Sequence, residues 1–511
     1  MNESSMPSMQ SAPDRRATTQ DWLGLVVLAF AVLLIAVDGT VLDLALPFIS
    51  SDLAPTSNQL LWIIDVYSFV LAGLLITMGT LGDRIGRRRL LLIGAAGFGI
   101  ASVVAAFSVS PEMLIAARVL QGVSGATLMP ATLGLIRTIF TDSRQRIMAI
   151  GIWGAMAGGG AAAGPLVGGW LLEHFWWGSV FLINIPVMLV LIALGPLVIP
   201  ESKDPNPGKF DLVSSALSLA ALVPLVFAVK ETATHGFDTV NAVAAAIGIA
   251  AGIAFVRRQR TLESPMIDLR LFAKPAFSTA VFTNFLSVFA LAGVLFFGAQ
   301  YLQLVLGNSP LQAGLLLLPG TVSSIVTSLI AAYLVRIFSP GTVLGTGLAV
   351  AAVGAALLIG LRADGGPGLF IAGFVLVGAG AGTALTLTSD LVVSAVEPER
   401  AGAASAVSET AYELGIALGV AILGTVVMSY FRRGLDVSGL DPVQAISAQE
   451  TLGGSVAVAH TLPTQAAELL SESADAAFIS GMHAASVATA VVMAATSIAV
   501  FVRLRGTTTH A

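Results

Sequence analysis

Six ionisable side chains lie inside apolar stretches of this sequence, where a charge is costly. They are Asp38, Asp43, Asp65, Arg118, Glu409 and Glu413. A charged side chain at the centre of a membrane helix costs ~2.5–3.5 kcal/mol on insertion scales, so each of these groups needs a partner or a task. A buried carboxylate can hold a proton or neutralise a cation, and an arginine can keep one carboxylate ionised. These residue types therefore indicate a buried acid–base site.

The spacing of three of these groups places them at one depth. At a helical rise of ~1.5 Å per residue, Asp38, Asp65 and Arg118 each lie ~9–12 Å below the outer ends of three different predicted helices. We expect a polar cluster in a central cavity, and a purely structural ion pair is the alternative. Asp43, five residues after Asp38, falls on another helix face close to the outer end, so we expect it to snorkel to the outer rim.

Glu409 and Glu413 are four residues apart in "SAVSETAYELGIALGV", with Tyr412 beside them. Two carboxylates at that spacing share a helix face and repel each other. One of them should therefore accept a proton readily, so that a proton and a cation can compete for it. The alternative for Glu409 is a residue at the helix end with no such role.

A nearby aromatic stretch supplies candidate walls for a cavity. Its members are Phe285, Phe289, Phe296, Phe297 and Tyr301. Core or lipid-facing positions are as open for them as cavity lining, because the sequence does not show which way these side chains point.

The elements that must position these side chains are membrane helices. Of the 511 residues, 56% are hydrophobic and 11% are charged, and the mean hydropathy is +0.89. These values predict an all-α polytopic membrane protein. Windows of about twenty apolar residues predict fourteen spans, near 23–47, 59–80, 90–109, 112–134, 146–171, 177–199, 211–230, 239–256, 277–303, 311–336, 341–361, 368–391, 404–430 and 476–503.

The distribution of cations predicts the orientation of these spans. With the N-terminus inside, twenty Lys and Arg residues fall on inner segments and four on outer loops, so both termini should be cytoplasmic. The predicted organisation is a tail over 1–22, a six-helix bundle over 23–200, a linker with two inserted helices over 201–275, a second six-helix bundle over 276–503 that includes an outer segment 431–475, and a tail over 504–511.

Small residues indicate which helices pack closely. Gly160, Gly164 and Gly168 recur every four residues, with Pro165 between them. Such a stripe lets another helix approach closely, and the proline favours a kink.

Four motifs together resemble the major facilitator superfamily, and within it the fourteen-helix drug:proton antiporters. They are "GTLGDRIGRRR" (79–89), "RVLQGVSGA" from Arg118, "GAAAGPLVGG" (160–169) and "VDGTVLDLALP" (37–47). With "LWIIDVYSFVLAG" and "SETAYELG", the sequence is most similar to quaternary-ammonium and multidrug exporters of the QacA, SmvA and LfrA type.

This resemblance implies roles for individual residues. Asp38 and Glu413 would take part in protonation and substrate recognition, Glu409 in cation recognition, and Arg118 in proton coupling. The loop with Gly79, Asp83, Arg84, Gly86 and Arg87 would form a charge relay, and Gly160, Gly164, Pro165, Gly168 and Gly169 would let helix five bend. Some relatives carry a further acid in the helix that corresponds to span 311–336, which has none here, so recognition of dications is in question.

The expected function is proton-driven export of lipophilic cations by alternating access across the bacterial cytoplasmic membrane. The expected partners are the cations, protons and membrane lipid, with no nucleic acid, and the chain should work as a monomer. No cofactor, metal or catalytic site is expected, because there is no phosphate-binding loop and the histidines are scattered. The open alternatives are a same-fold exporter of a metabolite or other non-cationic substrate, and a non-transporting membrane sensor.

Overall fold

The computed structural model describes residues 16–203, 211–235, 238–262, 265, 269–394 and 401–504. Across these ranges the regular structure is helical, with no strand. The first bundle contains α1 (Thr19–Leu53), α2 (Ser57–Ile85), α3 (Arg87–Ala106), α4 (Pro111–Ile139), α5 (Ser143–His174), α6 (Ser179–Leu182) and α7 (Asn184–Val198).

An inserted pair and a second bundle follow. The inserted pair is α8 (Leu212–His235) and α9 (Thr239–Thr261). The second bundle contains α10 (Pro275–Gln300), α11 (Pro310–Leu334), α12 (Pro340–Leu357), α13 (Gly368–Ser394), α14 (Ala401–Gly434), α15 (Pro442–Glu450), α16 (Leu452–Ala459) and α17 (Thr464–Arg503). Short 3₁₀ turns cover Leu269–Ala273 and Leu358–Gly360, and a π-helical turn over Tyr301–Val305 extends α10.

Local sequence explains where these helices begin. Thr56 and Ser309 cap α2 and α11, each accepting a hydrogen bond from a backbone amide of the first turn. A polar cap of this kind satisfies an amide that has no partner within the helix. Proline opens α4 and α10 near the first helical position, where its missing amide hydrogen is no loss.

Twelve helices in the described part of the chain are long and apolar enough to cross a membrane. Helices also occupy the predicted fifth and seventh spans, as α5 and α8, while the total of fourteen crossings stays a prediction. The predicted sixth span is divided at Ile183 into α6 and α7, and the last helix begins at Thr464 rather than near 476. Two short helices, α15 and α16, lie within the segment 431–475.

The helices pack as two bundles with a seam between them. In the first, α1 packs along α5 and α2 along α4; in the second, α10 packs along α14 and α11 along α13. The bundles meet through α5 with α11 and through α2 with α14. The inserted helix α8 lies against both α2 and α14 and so covers one side of that seam.

Polar contacts join the bundles at one end, which we call the Glu450 end, opposite the start of α1. The Glu450 carboxylate accepts a hydrogen bond from the Ser57 amide at 2.8 Å and pairs with Arg432 at 2.8 Å. Gln303, in the π-helical turn, donates to the Leu44 carbonyl at 3.3 Å. The first and second bundles are therefore held together at the Glu450 end.

Candidate functional site

An ion pair lies at the centre of the first bundle. Asp38 on α1 and Arg118 on α4 meet at 3.0 Å, and their side chains are only 1% and 2% exposed. The second oxygen of the Asp38 carboxylate accepts a hydrogen bond from the Asn184 amide of α7 at 2.8 Å. The carboxylate is thus paired with a cation and also accepts a hydrogen bond from a neutral donor.

The other contacts of Arg118 join further helices to this pair. Its Nε donates to the Ile63 carbonyl of α2 at 3.1 Å, and its Nη1 donates to Gln121 at 3.1 Å. Its guanidinium carbon also lies 4.4 Å from the ring centre of Tyr67, a cation–π geometry. A buried cation with so many partners avoids the large penalty of an unpaired charge.

Sequence reasoning missed the amide and hydroxyl groups that complete this network. Gln121 donates to the Ser102 hydroxyl of α3 at 3.0 Å, and Asn184 donates to the same hydroxyl at 3.0 Å. The available signal was an asparagine inside the apolar run "FLINIPVML", since a buried amide needs hydrogen-bond partners. The predicted cluster therefore extends across α1, α2, α3, α4 and α7.

Asp43 does not reach the outer rim, so that expectation is wrong. Its side chain is 7% exposed, and it interacts electrostatically with Arg118 and Asp65. Asp65 is fully buried. The rim is not available to Asp43 because α16 packs over this end of α1: a Cβ atom added to Gly453 would lie 2.9 Å from that of Ser50.

The predicted acidic pair lies on α14, at the contact with the first bundle. Glu413 is 5% exposed and interacts with the Ser68 hydroxyl of α2 and with the Glu409 carboxylate. Glu409 and Tyr412 are half-buried. The structure thus brings Glu413 to the seam between the bundles.

Four of the five candidate cavity walls are core residues. Phe285 is half-buried, whereas Phe289 is 8% exposed and Phe296, Phe297 and Tyr301 have no exposed surface. Of the two alternatives, the structure favours the core position for these four, because all of them belong to the closely packed apolar core. The Tyr301 hydroxyl donates to the Arg362 carbonyl at 3.0 Å.

The glycine stripe on α5 allows the close approach that its spacing indicated. A side chain at Gly160 would collide with Leu33 of α1, and one at Gly164 would collide with Thr40. On the same helix, a Cβ at Gly169 would lie 2.7 Å from Leu311 of α11. The small residues of α5 therefore place it directly between α1 and the second bundle.

The loop between α2 and α3 is fixed by a residue from the chain after α7. Glu201 accepts hydrogen bonds from the amides of Arg88 at 3.0 Å and Arg89 at 3.2 Å, at the positive end of α3. Gly86 has φ +108°, a conformation that L side chains rarely adopt. Glu201 is the first residue of the predicted linker 201–275.

The remaining loop-motif residues lie close to α4. Arg87 donates to the Gly134 carbonyl at 3.3 Å. Gly79 packs opposite Pro130, since an added Cβ would lie 3.5 Å from that ring. The Asp83 side chain lies outside the described residues, so the predicted relay stays a prediction.

A cavity of about 520 Å³ lies apart from the buried acids, at the Glu450 end between α16 and α17. Its polar lining includes His460, Glu468 and Asp475. In the described part of the chain, no three His, Asp or Glu side chains group in a way that could hold a metal ion. None of the predicted site residues lines this cavity.

Comparison with known proteins supports the motif reading. The sequence model of the Major Facilitator Superfamily matches residues 28–420. The multidrug efflux pump LfrA of Mycolicibacterium smegmatis is 49% identical over 491 residues, covering 96% of this chain and 97% of that protein. The methyl viologen resistance protein SmvA of Salmonella typhimurium is 37% identical, covering 90% and 93%. The tetracenomycin C resistance and export protein of Streptomyces glaucescens is 35% identical, covering 94% and 91%.

Solved structures show the same fold. A bacterial homologue of the human lysosomal transporter Spinster, in an inward-facing and unoccupied conformation, superposes with a TM-score of 0.67 at 19% sequence identity, covering 96% of this chain and 98% of that one. The helical bundles, the apolar spans and the sequence match agree with one another. The chain belongs to the Major Facilitator Superfamily and is a multi-pass transporter of the bacterial cytoplasmic membrane rather than an enzyme.

Proposed function

We propose that this chain is a proton-coupled efflux antiporter that exports lipophilic organic cations. It crosses the membrane fourteen times with both termini in the cytoplasm, works as a monomer and needs no cofactor beyond the coupling protons. The Glu450 end then faces outward. In alternating access, the two bundles rock about a site between them.

One observation carries this proposal: Glu413 is a buried carboxylate at the seam between the bundles. Its neighbours there are a hydroxyl at Ser68 and a second carboxylate at Glu409, rather than a fixed cation as at Asp38. A carboxylate in that setting is neutralised by a proton or by a positively charged guest. A transport site that exchanges one for the other needs this chemistry.

Competition between the two ligands supplies the coupling. A cation at Glu413 favours the ionised carboxylate, and a proton favours the neutral one, so each ligand lowers the affinity for the other. By linkage, the reduction is equal in both directions. The half-buried Tyr412 and Phe285 offer aromatic surface for the rest of a lipophilic cation, including cation–π contact.

The names of the relatives support this substrate class and also favour a second candidate. The resistance described for SmvA is to methyl viologen, which is an organic dication. The Streptomyces glaucescens relative is named as a tetracenomycin C resistance and export protein. Export of a metabolite or other non-cationic compound is therefore the second candidate function, with the same fold and site.

The test uses everted membrane vesicles with an acidified lumen. Ethidium added outside should release lumenal protons when the wild-type chain is present. We expect Glu413→Gln to reduce this release at least about tenfold. The variant removes the carboxylate that exchanges a proton for the cation, and a tenfold loss corresponds to about 1.4 kcal/mol. Glu472→Gln is the matched control, because Glu472 is exposed on α17.

Three outcomes separate the candidates. Release by ethidium that is lost only in Glu413→Gln supports the antiporter of cations. Release by tetracenomycin C but by no organic cation supports the metabolite exporter. Wild-type vesicles that release no protons with either compound would overturn proton-coupled export.

A further inference from the structure

Tyr67 on α2 carries a buried hydroxyl that no hydrogen bond explains. The side chain is 4% exposed, and its hydroxyl has no hydrogen-bond partner among the described residues. Leaving a buried donor unsatisfied is unfavourable, because the group loses its hydrogen bonds to water and gains none in the protein. A phenylalanine here would avoid that cost, so the hydroxyl needs a task in another state of the protein.

The charged groups that face Tyr67 come from three helices in both bundles. They are Asp38 on α1, Arg118 on α4 and Glu413 on α14, each of which interacts electrostatically with the phenol. The Arg118 guanidinium lies over the ring at 4.4 Å. The next residue, Ser68, is the one that interacts with Glu413. Tyr67 thus lies between the ion pair of the first bundle and the carboxylate of the second.

Two glycines of α4 hold Tyr67 in this place. A Cβ atom added to Gly125 would lie 3.3 Å from the Tyr67 hydroxyl oxygen, and one added to Gly122 would lie 2.8 Å from its carbonyl oxygen. The ring therefore packs closely on α4, beside Arg118. A larger residue at either position would push the phenol away from α4.

We propose that Tyr67 is a positioning residue that couples the protonation state of Asp38 to that of Glu413. The proposal rests on the proposed function. In the described arrangement Asp38 compensates the charge of Arg118. When Asp38 takes up a proton, Arg118 loses its closest counterion and more of its charge acts on the phenol ring, which makes the hydroxyl a stronger donor. The hydroxyl then donates to the ionised Glu413 carboxylate and keeps its own proton. Protonation in one bundle thereby favours deprotonation in the other.

The test measures ethidium binding by the purified chain across a pH series. Tyr67→Phe removes only the hydroxyl, so its thermal unfolding midpoint should not fall. Its affinity for ethidium at high pH should stay within about twofold of the wild-type value. The proton concentration that halves this affinity should fall at least about threefold, because ionised Glu413 loses a hydrogen-bond donor. Tyr333→Phe is the control, because Tyr333 is 61% exposed.

A double variant shows whether the effect passes through Glu413. In a Glu413→Gln background, adding Tyr67→Phe should cause no further change in the pH profile. An unchanged profile in Tyr67→Phe alone, or an equal shift in both backgrounds, would overturn the coupling role. Wild-type protein whose ethidium binding does not vary with pH would instead refute the proposed function, so the two failures are distinguishable.

Discussion

The carboxylate on α1 and the acidic pair on α14 are both buried in apolar bundles, but their surroundings differ. Asp38 has an arginine at 3.0 Å and an amide donor at 2.8 Å. Glu413 has a hydroxyl and a second carboxylate as its neighbours. The first carboxylate is paired with a cation, whereas the second can be neutralised by a proton or a guest cation.

The two carboxylates therefore differ in their tasks, although the family resemblance implied protonation and substrate recognition for both Asp38 and Glu413. A paired acid ties helices together, because removing either partner strands a buried charge. An acid without a fixed cation contributes little to folding but can change its ligand during a transport cycle. We infer that Asp38 acts first through the packing of its bundle and that Glu413 acts first through binding.

The largest predicted contrast is in stability. Asp38→Asn should reduce the free energy of unfolding by about 3–5 kcal/mol, because it leaves Arg118 buried without its counterion. Glu413→Gln should reduce the free energy of unfolding by less than about 1.5 kcal/mol, since only the hydrogen bond with the Ser68 hydroxyl is affected. Reversible unfolding in detergent measures both. Equal losses for the two variants would erase the distinction between the sites.

Removing both charges sharpens the comparison. The double variant Asp38→Asn/Arg118→Gln should regain at least half of the stability that Asp38→Asn loses, because the buried guanidinium that lacks its closest counterion is also removed. Proton release should stay impaired in the same protein. Recovery of transport together with stability would show that the ion pair has only a structural role.

A packing change tests how α1 is held in place around Asp38. Gly164→Ala should cost about 1–3 kcal/mol of stability, because the added methyl group meets Thr40 on α1. Gly159→Ala is the matched control on the same helix, where an added Cβ meets nothing within 4 Å. It should be neutral or stabilising by up to about 1 kcal/mol. A similar loss in both variants would point to the helix backbone rather than to contact with α1.

The smallest effect concerns the ion pair within the second bundle that supports the contact of Glu450 with Ser57. Arg432 and Glu450 are 19% and 26% exposed, so Arg432→Gln should cost about 1 kcal/mol or less. The exposed pair of Arg362 with Asp364, 75% and 72% accessible, provides Arg362→Gln as a control with no measurable change. A coupling energy between Arg432 and Glu450 that is no larger than that of the control pair would show that this ion pair does not support the contact with Ser57.

Much of the helical fold could be predicted from the sequence, because apolar runs of about twenty residues specify membrane helices locally. The cluster at Arg118 was also accessible by counting residues along three helices. The roles of Asn184, Gln121 and Ser102 could not be predicted, because the sequence does not show which residues a polar side chain in an apolar run will contact. Asp43 was placed wrongly because α16, which covers that end of α1, follows it by four hundred residues in the chain.

By itself, the sequence determined that this chain is a helical membrane transporter with acids in its spans. Hydropathy, charge and the order of the motifs can all be read from the linear sequence. Only the tertiary structure decided how these charges meet: Arg118 had both Asp38 and Asp65 at its depth, and it forms an ion pair with Asp38 at 3.0 Å. That choice depends on helix rotation and on close packing between distant segments, which no local pattern encodes.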